Sequence, residues 1–153
     1  MTNEKDAPCA HDVVASGDDI ADDVGIAAVL ERARTRLTRI TVPEAIAAQD
    51  AGAVLVDIRP QAQRAEHGEI AGAVIIERNV LQWRLDPTSE AALPFADRDL
   101  PIIVVCQQGY ASSLAAAELL DCGLRDVTDL VGGHDAWAAH HADATAQDAQ
   151  LSA

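Results

Sequence analysis

The chain has 153 residues, with 25 acidic against 11 basic side chains and a net charge of −14 at pH 7. That length suits one domain with some tail, and the acidity excludes the basic footprint that nucleic acids and anionic membrane surfaces select. Three cysteines without metal-type spacing, no leader-like apolar run and no stretch near the roughly 18 apolar residues of a membrane span predict a cytoplasmic protein with reduced thiols.

Residues 1–25 hold Glu4, Asp6, Asp12, Asp18, Asp19, Asp22 and Asp23 against Lys5 alone, lack hydrophobic periodicity and are expected to be disordered. Within them Cys9-Ala10-His11 has no second pair at ligand spacing, so no metal site is expected. Ile26, Val29, Leu30, Ala33 and Leu37 then follow the spacing of one helical face, which predicts an amphipathic helix over 26–37. Arg32, Arg34, Arg36 and Arg39 make this segment basic. It reads as a solvated face beside the acidic tail, or as a docking face for an acidic protein partner.

From Thr38 the pattern alternates between strand and helix. Leu37 to Val42 suggests a short strand, and Pro43 opens a helix that runs to Ala51 and stops at Gly52. Ala53 to Ile58 is an apolar run broken only by Asp57, the signature of a strand buried on both faces. Pro60 opens a short helix to Glu66, Gly68 and Gly72 bracket a turn, and Ala73 to Ile76 is a third buried strand. Asn79 is expected to cap a helix that ends at Asp86-Pro87, before a polar loop over 88–99. Pro101 to Val105 leads into Cys106, and Ser112 or Ser113 is expected to cap the helix ending near Cys122-Gly123. Val127 to Val131 is the last strand, Gly132-Gly133 a turn, and His134 to about His140 the final helix. Residues 142–153 are expected to form a flexible tail.

Repeated strand–helix units with doubly apolar strands imply an α/β domain over 38–141, a mostly parallel central sheet with helices on both faces. In such sheets the working groups gather beyond the carboxyl ends of the strands. Cys106 lies at such an end, as do Asp57 to Arg59, Glu77-Arg78 and Gly132-Gly133. The segment Gln107-Gln108-Gly109-Tyr110-Ala111-Ser112 turns from strand to helix, where converging backbone amides and a helix dipole favour an anion. A cysteine in that setting can be shifted from about 8.5 to roughly 3.5–7.5 and become a nucleophilic thiolate. The same residues also suit a small apolar side chain closing a buried strand.

Four segments, in order, resemble the rhodanese family of sulfurtransferases in its single-domain form. They are Val54-Leu55-Val56-Asp57-Ile58-Arg59, Glu66-His67-Gly68-Glu69-Ile70-Ala71-Gly72-Ala73-Val74, the Cys106 loop, and Val131-Gly132-Gly133-His134-Asp135-Ala136-Trp137. The resemblance implies a rhodanese-like fold and a Cys106 persulfide, loaded from thiosulfate or another persulfide and unloaded by cyanide or a thiol. It implies no metal and no organic cofactor. It also makes residues 107–112 the anion-binding loop, with Asp57 and Arg59 in support. The chain departs from the family in having no arginine or lysine in the loop, which leaves Arg78, and more distantly Arg84, as candidates for charge at the pocket mouth. The position six after Cys106 is Ser112, where fold-related phosphatases and arsenate reductases carry an arginine clamp. Cys122, Trp83 and Trp137 read as packing residues, and His67 and His134 have no evident partner that would make either a base. The competing class is a non-catalytic rhodanese-like module that binds a partner or senses oxidants and sulfide species.

Overall fold

Four short apolar runs pair into one parallel sheet, and the structure, a computed structural model describing residues 23–152, shows how the helices between them cover it. Helix α1 spans Ile26–Thr35 and α2 Val42–Asp50; β1 is Val54–Asp57, α3 Gln61–His67 and β2 Val74–Ile75. A 3-10 turn at Arg78–Val80 leads into α4, Leu81–Leu85, followed by β3, Ile102–Val105, and α5, Ala111–Asp121. Strand β4 is Val127–Asp129, and α6 runs from Gly133 to Leu151. Expectations that fall on residues 1–22, including the acidic tail and Cys9-Ala10-His11, lie outside the described residues.

The sheet order is β2-β1-β3-β4, all parallel. Strand side chains alternate between faces. Val56, Ile102 and Val104 pack with Leu81 and Leu85 of α4 and with Ala115, Ala116 and Leu119 of α5. Leu55, Ile103 and Val105 pack on the other side with Val42 and Ala45 of α2 and Trp137 of α6. Burying a Leu, Ile or Val side chain in either layer is worth about 1.5–3 kcal/mol. Because the chain leaves β1 for β2 on one side and later returns as β3 on the other, the order reverses between β1 and β3. Their register sets Asp57 beside Val105, so the Asp57–Arg59 segment and Cys106 emerge at the same crevice.

Several local expectations are corrected. The strand expected over 37–42 reduces to a single bridge between Ile40 and Leu130. The strand expected over 73–76 is a two-residue strand at the edge of the described sheet, with Ile75 exposed. Helix α2 starts at Val42 and carries Pro43 in its first turn, with Thr41 N–H donating to Glu44 Oε2 at 3.1 Å. Helix α5 is flanked by Tyr110 rather than capped by Ser112 or Ser113, whose buried hydroxyls instead turn to a carboxylate. Residues 142–151, expected to be a loose tail, continue α6 with every side chain exposed; their alanine-rich composition sustains the helix without packing.

The arginines of the basic segment bond within the chain. Arg32 donates to Asp23 O, Arg36 pairs with Asp121, and Arg34 and Arg39 turn inward, so each guanidinium has a partner in its own chain. Among the described residues no helix is long and apolar enough to cross a membrane.

Candidate active site

Strand β3 ends at Cys106 and the chain folds back over it through a turn that only glycine accommodates. Gly109 has φ +85°, and a Cβ there would lie 2.9 Å from Gly132 N. Gly133, at φ +58°, sits so close that a Cβ would overlap the Cys106 carbonyl. The loop therefore seats directly on the start of α6.

That seat orients the loop's peptides. His134 N–H donates to Cys106 O at 2.8 Å and Asp135 N–H to Gln107 O at 3.0 Å. Gly109 O accepts from Arg34 Nη2 at 2.8 Å and from Arg39 Nη2 at 2.9 Å. With three carbonyls held from outside, amides are left to face the sulfur: Gly109 N–H and Ser112 N–H reach Cys106 Sγ at 3.2 and 3.3 Å. Ser112 Oγ is 3.2 Å from the same sulfur. Its own hydrogen goes to Asp129 Oδ2 at 2.8 Å, so a protonated Cys106 donates to Ser112.

Asp129, fully buried at the end of β4, is the hub behind the loop. It accepts from Ser112, from Ser113 at 2.7 Å and from Arg39, whose Nε and Nη2 reach its two oxygens at 2.8 and 3.2 Å. Such a network leaves none of its buried side-chain polar atoms without a partner.

Asp57 and Arg59 form a second buried pair in front. Arg59 is 1% exposed and donates through Nε and Nη2 to Asp57 at 3.0 and 2.7 Å, through Nη2 to Gly68 O and through Nη1 to Gln107 Oε1. Gln107 in turn donates from Nε2 to Asp135 Oδ1 at 2.6 Å. Arg59 thus braces the first loop residue and does not face the cavity.

Cys106 lies at the floor of an open cavity of about 390 Å³. Gln107, Gln108, Tyr110 and Ala111 form its loop wall, Gln63 and His67 of α3 the opposite wall, and Asp135 a third. Arg78 is not at this mouth: it pairs with Glu118 at 2.7 Å and lines a neighbouring depression with Pro60 and Trp83. Arg84 donates to Ala91 O on the surface. Trp137 is buried as expected, whereas Trp83 is 61% exposed because α4 presents it outward. His134 is buried, and burial, reinforced by the Arg59 charge, pushes its imidazole below its ordinary value. Cys122 is a free thiol held above its usual value by burial and by nearby Asp86, Asp121 and Glu118. Among the described residues no group of three or more His, Cys, Asp or Glu side chains gathers where a metal ion could be held.

Sequence patterns place Cys106, its loop, Asp57 and Arg59 in the site; they read Arg34 and Arg39 as a basic helix face, Ser113 as a helix cap and Asp135 as part of the Val131–Trp137 segment, and leave Asp129 unmarked. Asp129 had a visible cue, a single carboxylate in the apolar run Val127 to Val131, the same cue that singles out Asp57. The arginines had none, because their partners lie 70 to 90 residues away.

Fold and site together define an α/β protein that presents a cysteine in an amide-lined turn at the topological switch of a parallel sheet. The rhodanese-like domain family model matches residues 41–140, and the chain belongs to that family. A thiosulfate sulfurtransferase GlpE of Pseudomonas savastanoi pv. phaseolicola is 34% identical over 113 residues, covering 74% of this chain and 98% of the relative. The GlpE of Pseudomonas entomophila is 40% identical, covering 71% and 92%. Among solved structures, a Rhodopseudomonas palustris protein of unknown function, described as a possible tyrosine phosphatase, is 33% identical with a TM-score of 0.71, covering 77% of this chain and 92% of its own. The human single-domain sulfurtransferase, at 20% identity, TM-score 0.56 and coverage of 65% and 94%, shares the fold.

Proposed function

We propose that this chain is a sulfurtransferase that carries a sulfane sulfur as a persulfide on Cys106. The observation that carries the reading is Cys106 Sγ on the floor of an open cavity, already accepting the Gly109 and Ser112 amides. The names of its thiosulfate sulfurtransferase relatives support the same chemistry.

The Cys106 thiolate attacks the outer sulfur of thiosulfate, a new S–S bond forms, and the donor's S–S bond breaks with its electron pair leaving on sulfite. The Cys–S–S⁻ that results keeps its inner sulfur on the two amides, whose fixed dipoles favour the anion without reorganising. Cyanide or a thiolate then attacks the outer sulfur and regenerates the Cys106 thiolate, by the in-line displacement of thiol–disulfide exchange. A reducing, cytoplasmic setting suits a mechanism that needs a free thiol.

Donor choice follows from the cavity wall. Gln107, Gln108, Tyr110 and Ala111 offer no charge to a dianion, and the Asp135 carboxylate opposes one. A low-molecular-weight persulfide therefore transfers faster than thiosulfate. A phosphoryl group is served worse still, because the position six after Cys106 is Ser112, bonded back to Asp129.

Mass spectrometry of the intact reduced protein after thiosulfate or glutathione persulfide tests this directly. The expected result is one added sulfur on Cys106, removed by cyanide or thiol and absent in Cys106→Ser. A folded protein that gains no sulfur from either donor is instead a binding or sensing module.

A further inference from the structure

Arg34 belongs to α1, before the residues the family model matches, yet it reaches the sulfur-binding loop. Its Nη2 donates to Gly109 O at 2.8 Å and its Nε to Ser113 Oγ at 3.1 Å, while its guanidinium carbon lies 5.4 Å from the Tyr110 ring centroid. Arg39 binds the same carbonyl, but its charge is matched by the buried Asp129. Among the described residues Arg34 has no carboxylate within salt-bridge distance. It is therefore the cation behind a loop whose own side chains are neutral.

We propose that Arg34 is a positioning residue for sulfur transfer, holding the Gly109 carbonyl outward so that the loop's amides face the sulfur and placing a cation behind them. This rests on the sulfurtransferase reading and deepens it. The geometric reason is the planar trans peptide, in which C=O and N–H point opposite ways. The carbonyl of Gly109 and the amide of Tyr110 share one peptide plane. Fixing the carbonyl on the arginine side turns the Tyr110 N–H to the other side, toward the cavity that Tyr110 lines. Among the described residues the amides of Tyr110 and Ala111 donate to no protein group, which leaves them for the outer sulfur, beyond the two amides already on Sγ. Losing Arg34 leaves Arg39 alone on a carbonyl built to receive two guanidinium donors. The loop can then rotate that peptide, and the persulfide loses both an aligned amide and the cation that offsets its charge. Cation–aromatic contact with Tyr110 adds to the same restraint on the loop's exposed corner.

The test compares Arg34→Gln and Arg34→Lys with the wild type. Three quantities are read: the rate of persulfide formation on Cys106 from thiosulfate, the rate of Cys106 alkylation by iodoacetamide at fixed pH, and Tm. Glutamine keeps bulk and one neutral donor; lysine keeps the charge and can still reach Gly109 O. The expected result is a loss of about tenfold or more in both rates for Arg34→Gln, the scale of one charge-assisted hydrogen bond, with partial recovery in Arg34→Lys and Tm little changed. Wild-type rates in Arg34→Gln overturn the proposal. So do equal losses in both variants that track a fall in Tm, which would make Arg34 a structural strut alone. Should the wild type accept no sulfur at all, the sulfurtransferase reading fails, while the alkylation rates still decide what Arg34 does to the loop.

Discussion

At the level of single residues the site depends on two buried carboxylates, each standing alone in an apolar strand. Asp57 and Asp129 end β1 and β4, the two strands that flank β3, and each is paired by an arginine that also touches the cysteine loop. Asp57 was legible as a polar residue where a buried strand ends, and Arg59 followed from its place two residues on. What a linear reading could not give is the direction of Arg59: it turns back onto Asp57 and Gln107 and so braces the loop rather than meeting the donor. Removing one member of a buried pair strands the other's charge, at a cost of about 3–5 kcal/mol. Arg59→Ala is accordingly expected to lose stability on that scale in urea unfolding with an unchanged m-value. A loss below about 1 kcal/mol would mean that the pair is worth no more than an exposed one.

Among the elements, four apolar runs punctuated by glycine and proline form strands as their pattern predicts, whereas the fifth run, over 37–42, pairs only through the Ile40–Leu130 bridge. Strand β2 was overestimated, since an edge and a central position look alike in a four-residue run. Ser112 and Ser113 carry the chemistry of helix caps, but Asp129, seventeen and sixteen residues on, offers a charged acceptor that a cap cannot match. The glycines separate these levels further. Gly52, at φ +107°, has nothing within 4 Å of the place a Cβ would take, whereas a Cβ at Gly133 would overlap the Cys106 carbonyl. Gly52→Ala is therefore expected to cost only its backbone strain, about 1–3 kcal/mol, and to leave sulfur transfer intact. Gly133→Ala is expected to cost more and to slow persulfide formation as well, because the loop must lift from α6. Equal transfer rates in the two variants would show that the seat on α6 does not set the loop.

For the whole molecule, an excess of acidic groups makes the response to pH a balance of opposing effects. Protonating surface carboxylates relieves the self-repulsion of a chain with net charge −14 and so favours the compact state as pH falls. His134 works the other way. It joins α6 to the loop through its N–H on the Cys106 carbonyl, and its imidazole is buried beside Arg59, both of which disfavour the charged ring. Its folded pKa therefore lies below the 6.5 of a free histidine. Between those two values the unfolded chain binds a proton that the folded chain refuses, so stability rises with pH across that window. The contribution of His134 is complete above pH 6.5, is lost as pH falls below it, and levels off once the folded ring also titrates. His134→Gln removes this dependence while leaving the carboxylates in place. Urea unfolding of both proteins at a series of pH values is expected to give stability curves that converge toward each other as the pH drops below 6.5, with the wild type losing more. Curves that stay parallel across that range would show that the ring carries no burial penalty, and that the pH response of the molecule belongs to its carboxylates alone.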